Sequence, residues 1–430
     1  MNVKVADFDG VNPTAVPARR RALLRDHDFR LLWVGETVSQ AGSAMTVVAL
    51  PLVAITVVGA SPLVLGVLTA CAWLPSLLIS LPAGAWVDQV GRRSVMQAAN
   101  VASAILFLSV PVAAWIGAVT VAHLAVVAFG GGVARVFFRT AFQAYVPTVL
   151  PRSRLTAGNS WLSGSESASE VVGPGLAGLV AQVLGAVSVL LVDGLSFVVS
   201  AVCLWRIRAA ELAGRRRDNA GLLTRIRAGV RYVFDDRYLR TIALFASLGN
   251  LTQAAVQTLL LVFLLRTVGQ PAGTAGLLLA AMGAGGLVGA LLAAPLADRF
   301  GTARALLGVE AVTVPFGLLI PLTGAGPRLA LFPIGLTVMF AGVTAGSIIT
   351  RSFRQQYVPD DMLARTGATM TVLAFGAIPV GALAGGWLAS TIGVRDALWL
   401  LCAALLLPVL VLVYSPIRHR RDLPVREASR

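Results

Sequence analysis

The sequence runs to 430 residues, 57% of them hydrophobic and 13% charged, with a formal charge of +15. Soluble domains carry about 25% charged residues, so water is the wrong solvent for most of this chain. The basic excess does not point to nucleic acid, which needs basic and aromatic residues gathered on a soluble module; here the arginines punctuate apolar runs.

Residue types narrow the chemistry further. Lys4 is the only lysine, so no phosphate-binding loop ending in Gly-Lys-Ser/Thr exists and direct ATP drive is not expected. Cys71, Cys203 and Cys402 sit singly in apolar runs, and His27, His123 and His419 are equally scattered. No metal-ligand spacing results, and no cofactor is expected. Neither a Gly-x-Ser-x-Gly elbow nor a His-Glu-x-x-His helix occurs, so the chain is not read as an enzyme and no catalytic residue is assigned. The polar stretch before the first apolar run does not form a cleavable signal, and that run is expected to stay in the mature protein.

A membrane crossing takes about 20 apolar residues. Such stretches fall, in chain order, near 29–57, 62–86, 94–116, 119–141, 160–184 and 187–205, then 240–265, 272–297, 303–323, 329–350, 365–390 and 396–415. The expected fold is therefore an all-α membrane protein of twelve transmembrane helices. Arginines 19–21, Arg25, Arg92, Arg93, Arg152, Arg154, Arg299, Arg304, Arg351 and Arg354 fall on one side, against Arg266, Arg328 and Arg395 on the other. The positive-inside rule then sets both termini in the cytoplasm, in a multi-pass inner-membrane protein.

Five segments follow: a tail over 1–28, a six-helix bundle over 29–205, a linker over 206–239, a second bundle over 240–415 and a tail over 416–430. Within the linker, Arg215, Arg216 and Arg217 precede Leu222, Leu223, Ile226, Val230 and Val233 at helical spacing. That pattern predicts an amphipathic helix lying in the membrane interface, with a solvated charged linker as the other reading.

The two bundles resemble each other. Asp88-Gln-Val-Gly91, followed by Arg92, recurs as Asp298-Arg-Phe-Gly301, followed by Arg304. Arg139-Thr140, Gln143 and Tyr145-Val146-Pro147 recur as Arg351-Ser352, Gln355 and Tyr357-Val358-Pro359, each 212 residues on (351 minus 139, 359 minus 147). Internal repeats are the usual construction of secondary transporters.

On these residues the chain resembles the major facilitator superfamily along nearly its whole length. Gly84-Ala-Trp-Val-Asp88-Gln-Val-Gly91-Arg92-Arg93 is similar to the signature between the family's helices 2 and 3. Gly84 allows close helix approach, Asp88 serves a cytoplasmic gate, Gly91 turns the chain, and Arg92 and Arg93 are expected to face anionic headgroups. Gly173-Pro174-Gly175-Leu-Ala-Gly178 resembles the antiporter motif of helix 5, although Ser169 and Ala177 stand where that pattern has glycine. Gly283, Gly285, Gly286 and Gly289 are expected only to pack. Asp28-Phe29-Arg30-Leu-Leu-Trp33, Phe142-Gln-Ala-Tyr-Val-Pro147 and Leu155-Thr-Ala-Gly-Asn159 resemble the macrolide, multidrug and siderophore exporter branch. The resemblance implies two pseudo-symmetric six-helix bundles, a small-molecule substrate, proton-driven efflux and a monomer in the lipid bilayer. An importer or facilitator on the same architecture is the competing reading.

Carboxylates inside a span cost about 2.5 to 3.5 kcal/mol on insertion scales and so mark candidate sites. Glu36, Glu166, Glu170, Asp193 and Glu310 qualify. Glu166 and Glu170 lie one turn apart on one face of span 5, and Glu170, near mid-depth, is the leading candidate for proton coupling. Glu36 and Glu310 lie about two turns inside their helices and can snorkel. Asp193 is read as a pairing or capping residue. Arg135 is taken as a buried cation able to pair with Glu36 or Glu166, and Trp33, Trp73, Phe137 and Trp387 as potential pocket aromatics.

Overall fold

The computed structural model describes residues 26–151, 154–208 and 222–424. Arginines 19–21, Arg25, Arg152, Arg215–Arg217, most of the N-terminal tail and residues 425–430 lie outside the described residues, as do the side chains of Gly84, Asp88, Leu222, Leu223 and Ile226. Twelve helices are long and apolar enough to cross a membrane. They are α1 His27–Thr56, α2 Pro62–Val90, α3 Arg92–Trp115, α4 Val121–Val149, α5 Leu155–Leu184 and α6 Ala186–Arg206. After a short helix α7, Leu222–Asp235, come α8 Arg237–Thr267, α9 Ala272–Phe300, α10 Thr302–Leu319, α11 Gly326–Tyr357, α12 Asp360–Ile392 and α13 Val394–Val413.

The helix ends explain why the chain breaks where it does. Asp26 accepts from the backbone N–H groups of Asp28 and Phe29, at 3.2 and 3.3 Å, and Asp236 from those of Tyr238 and Leu239, at 2.8 and 2.9 Å. The same cap therefore starts the first helix of each half, satisfying amide groups that the helix leaves unpaired. Four consecutive pairs of spans meet at a single glycine of positive φ: Gly91 (+100°), Gly185 (+85°), Gly301 (+87°) and Gly393 (+91°). Only glycine enters that region without steric cost, so it turns the chain in one residue. The repeat is thus built into the backbone, at α2–α3, α5–α6, α9–α10 and α12–α13.

One helix start is completed from far along the chain. Gly301 offers α10 no side-chain cap. The Thr302 N–H instead donates to Asp422 Oδ1 (3.0 Å), the Leu423 N–H donates back to Thr302 Oγ1 (2.8 Å), and the Ala303 N–H reaches the Arg421 carbonyl (3.1 Å). Two orphan groups are satisfied reciprocally, as in a capping box made by two separate segments.

Helix α7, expected as an amphipathic helix, packs one edge against the second half. Val233 is fully buried, and a Cβ at Gly229 would fall 2.6 Å from Thr369 Oγ1 and 2.9 Å from the Arg365 carbonyl. Its buried edge leans on α12, while Val230, expected on the same apolar face, is exposed.

The apolar core has three parts. One continuous cluster joins both halves at the end away from the described termini, with Leu52, Val110, Leu124 and Val189 on one side and Leu259, Phe263, Ala275 and Leu398 on the other. At the end carrying the termini, the halves keep separate clusters, one around Phe29, Met96 and Tyr145, the other around Leu239, Leu306 and Phe353. Buried apolar contact holds surfaces together, so the halves are joined at the far end and parted at the termini end.

Candidate transport site

Two seams close the far end. In the first, α2 meets α12: a Cβ at Gly386 would fall 2.6 Å from the Pro62 carbonyl and 3.0 Å from Leu63 Cα. In the second, α5 meets α9: a Cβ at Gly276 would fall 2.6 Å from both Gly178 Cα and the Pro174 carbonyl. Such backbone approach is what small residues permit between membrane helices. Gly178 of the helix 5 motif therefore works between halves, whereas Gly173 packs within its own half on Ala44. Gly283 also belongs to the seam, against Val171 and the Glu170 carbonyl, while Gly285 and Gly289 pack on α11.

Both seams end at mid-depth. The inner end of the first holds the stacked rings of Trp73 and Phe375, 5.6 Å apart and 6° from parallel, one from each half. The inner end of the second is Glu170, exposed and halfway along α5. Nearer the termini, a Cβ added at Gly164 of α5 or Gly367 of α12 would meet open space. The opening between halves thus has an aromatic pair on one side of its roof and a carboxylate on the other.

Three acids gather at this opening. Glu36 of α1 is half-buried and accepts from the Gln40 amide at 2.7 Å, one turn on. Glu166 approaches Arg139 at 3.8 Å, a loose pair with both side chains partly exposed. Glu36 and Glu170 each interact electrostatically with Glu166 and Arg139. The cluster is therefore three carboxylates around one guanidinium.

That cation differs from the expected one. Arg139, not Arg135, meets Glu166. Arg135, one turn earlier on the same face of α4, has Asp193 and Arg139 as its electrostatic neighbours in place of Glu36 or Glu166. The repeated Arg139/Arg351 pair was the available signal, since it marks the last turns of α4 and α11 as special.

The other two acids lie apart. Asp193 of α6 is fully buried and accepts from Thr46 Oγ1 of α1 and from Ser196 Oγ at 3.2 Å. It clamps α6 to α1, beneath Gly42, where a Cβ would fall 2.5 Å from its Oδ1. Glu310 of α10 is 4% exposed and lies against Gly346 of α11, and its carboxylate has no hydrogen bond or ion pair among the described residues. It sits 210 residues after Asn100 (310 minus 100), which donates to Ser200 at 3.0 Å in the other half.

The signature between α2 and α3 uses its arginines on protein rather than on headgroups alone. Arg92 Nη1 donates to the Ala144 carbonyl near the end of α4 (3.0 Å), and Arg93 Nη2 to the Trp205 carbonyl at the end of α6 (2.7 Å). Cations at helix C-termini satisfy orphan carbonyls and complement the helix dipole. In the second half, the repeated tyrosine does related work: Tyr357 OH donates to Asp236 Oδ2 at 2.6 Å, tying the end of α11 to the start of α8. Asp236 was missed in the sequence, although its 210-residue offset from Asp26 (236 minus 26) was readable there. Phe375 left no such signal.

The architecture is that of a membrane transporter, and the chain belongs to the transmembrane secretion effector family of the major facilitator superfamily, whose model matches residues 19–428. It is 29% identical over 393 residues to the multidrug efflux pump Tap of Mycolicibacterium fortuitum, spanning 89% of this chain and 94% of the relative. Macrolide efflux protein A of Streptococcus pyogenes is 22% identical over 410 residues, spanning 93% and 98%. A bacterial homologue of the iron transporter ferroportin, solved in its inward-facing state, shares the fold with a TM-score of 0.73 at 17% identity, covering 93% of this chain and all of that one.

Proposed function

We propose that this transporter exports small amphiphilic molecules, drugs or natural products, by proton antiport with alternating access. The observation that carries the reading is the cluster of Glu36, Glu166 and Glu170 around Arg139, placed where the two halves part. Acids exposed to an aqueous opening at mid-membrane can take up and release protons as the halves rock, and membrane carboxylates of this kind are rarely retained without a function. The efflux activities in the names of the curated relatives support export as the direction. The arginine-rich end carrying the termini is the cytoplasmic one, residues 29–205 and 240–415 act as the two moving bodies, and the protein works as a monomer.

Everted vesicles loaded with a pH-sensitive dye test this reading. Glu170→Gln is expected to abolish substrate-induced proton release while leaving protein level intact. Full coupling in that variant would remove Glu170 from the mechanism. Surface labelling of a cysteine placed in the 209–221 segment is expected only in everted membranes, and labelling from outside the cell would overturn the orientation.

A further inference from the structure

Away from the opening between halves, α3 and α6 enclose a groove of about 410 Å³ on the outer surface of the first half. Its volume falls in the range of sites that hold small ligands, about 300–1,000 Å³. Its walls are exposed apolar side chains, Val101 and Ile105 from α3, Val198, Val202 and Trp205 from α6. On a chain whose helices span a membrane, such a face meets lipid rather than water.

The two helices run in opposite directions, and their groove-side residues change character in step. Along α3 the four-residue ladder reads Arg93, Gln97, Val101, Ile105; along α6, from the same end, it reads Arg206, Val202, Val198. Residues four apart share a helix face. Both ladders thus begin with a cation at the termini end and become purely apolar within two turns. The Arg93 guanidinium is held at the groove mouth by donating to the carbonyl of the groove residue Trp205, and Arg206 is the next residue, exposed at the end of α6. Between cation and hydrocarbon sits Gln97, whose side-chain oxygen is buried and has no hydrogen-bond partner among the described residues.

The order cation, amide, hydrocarbon is the depth profile of a phospholipid: phosphate, glycerol and ester, acyl chain. We infer that this groove is a seat for one anionic phospholipid of the leaflet on the termini side, with its phosphate at Arg93 and Arg206, its glycerol region at Gln97 and one acyl chain between α3 and α6. The two arginines select a negative headgroup, because basic residues between membrane helices near the surface attract anionic lipids. Neither the acid cluster nor the transport cycle is needed for this site.

Trp205 gives the readout. The purified full chain in detergent is titrated with phosphatidylglycerol or phosphatidylcholine brominated on the acyl chain near the ester, and the quenching lost in Trp205→Phe isolates the groove from the other tryptophans. Phosphatidylglycerol is expected to half-saturate that local signal at a mole fraction lower by about fivefold per arginine. Arg206→Gln and Arg93→Gln are each expected to remove about that factor. Arg93 also holds the end of α6, so Val202→Phe supplies a variant that leaves both arginines in place and fills the groove; it is expected to abolish the local quenching by either lipid. Inorganic phosphate is expected not to compete. Equal affinity for the two lipids, local quenching that survives Val202→Phe, or displacement by inorganic phosphate or by a lipophilic dye in place of phosphatidylglycerol would each overturn the assignment.

Discussion

At the residue scale, the five membrane carboxylates divide by their surroundings. Glu36, Glu166 and Glu170 share a cation and an opening, whereas Asp193 is enclosed by hydroxyl donors from its own helix and from α1. Its environment is that of a clamp, so its removal should cost stability before it costs coupling. Thr46→Val leaves one buried oxygen of Asp193 without its donor, and a loss of about 1–3 kcal/mol follows. A lowered thermal midpoint with unchanged proton-to-substrate coupling is the expected pattern; an unchanged midpoint with altered coupling would place Asp193 among the proton carriers. All five acids were found from sequence because a carboxylate in an apolar run stands out. Their partners were not, because helical periodicity says which residues share a face without saying which way that face points, and so Arg139 rather than Arg135 as the cation beside Glu166 had to come from the structure.

At the scale of elements, helix existence was readable throughout, and the twelve runs of apolar residues correspond to the twelve spans. Helix ends were less so: α5 begins at Leu155 rather than near 160, and α4 continues to Val149 rather than stopping near 141. Hydropathy stops where the hydrocarbon stops, while the helix continues through polar residues as long as its amides are paired. The seams make a sharper claim. Gly276→Val would push a branched side chain into the Gly178 backbone, and overpacking of this kind costs about 1–3 kcal/mol. Since only the far-end-closed arrangement needs that contact, the population ratio should move by about tenfold or more toward the alternative state. Cysteines on the far end of α9 should then react faster with impermeant reagents applied on the side away from the termini. A second element-scale prediction concerns the borrowed cap of α10: Asp422→Ala should lower stability by about 1 kcal/mol, as loss of an N-cap does, and thermal unfolding of the purified protein measures it.

For the whole molecule, the separation of the two clusters at one end and their fusion at the other define a state with access from the termini side. Exchange between this state and its opposite requires the separate clusters to meet, and the α2–α3 signature lies beside that closing surface. Asp88→Asn is accordingly expected to slow transport several-fold with the same ranking of substrates, measured by initial efflux rates over a panel of compounds. A changed ranking at normal speed would locate Asp88 in the pocket instead. The twofold construction was readable from two repeated motifs, one of which holds the Gly91 and Gly301 turns, but the turns at Gly185 and Gly393 were not read from the sequence, because only sparse small residues, Gly178 and Ala181 against Gly386 and Ala389, repeat before them.

The cap that Asp422 lends to α10 also orders events during synthesis. Asp26, Ser61 and Thr120 cap three helices of the first half from residues close at hand, whereas α10 enters the bilayer some hundred residues before its partner has been translated. Until the ribosome has delivered Leu423, the second half is an unfinished object with bare amides at one of its turns. A chain cut just after α13, though it contains every membrane crossing, would remain in that unfinished condition.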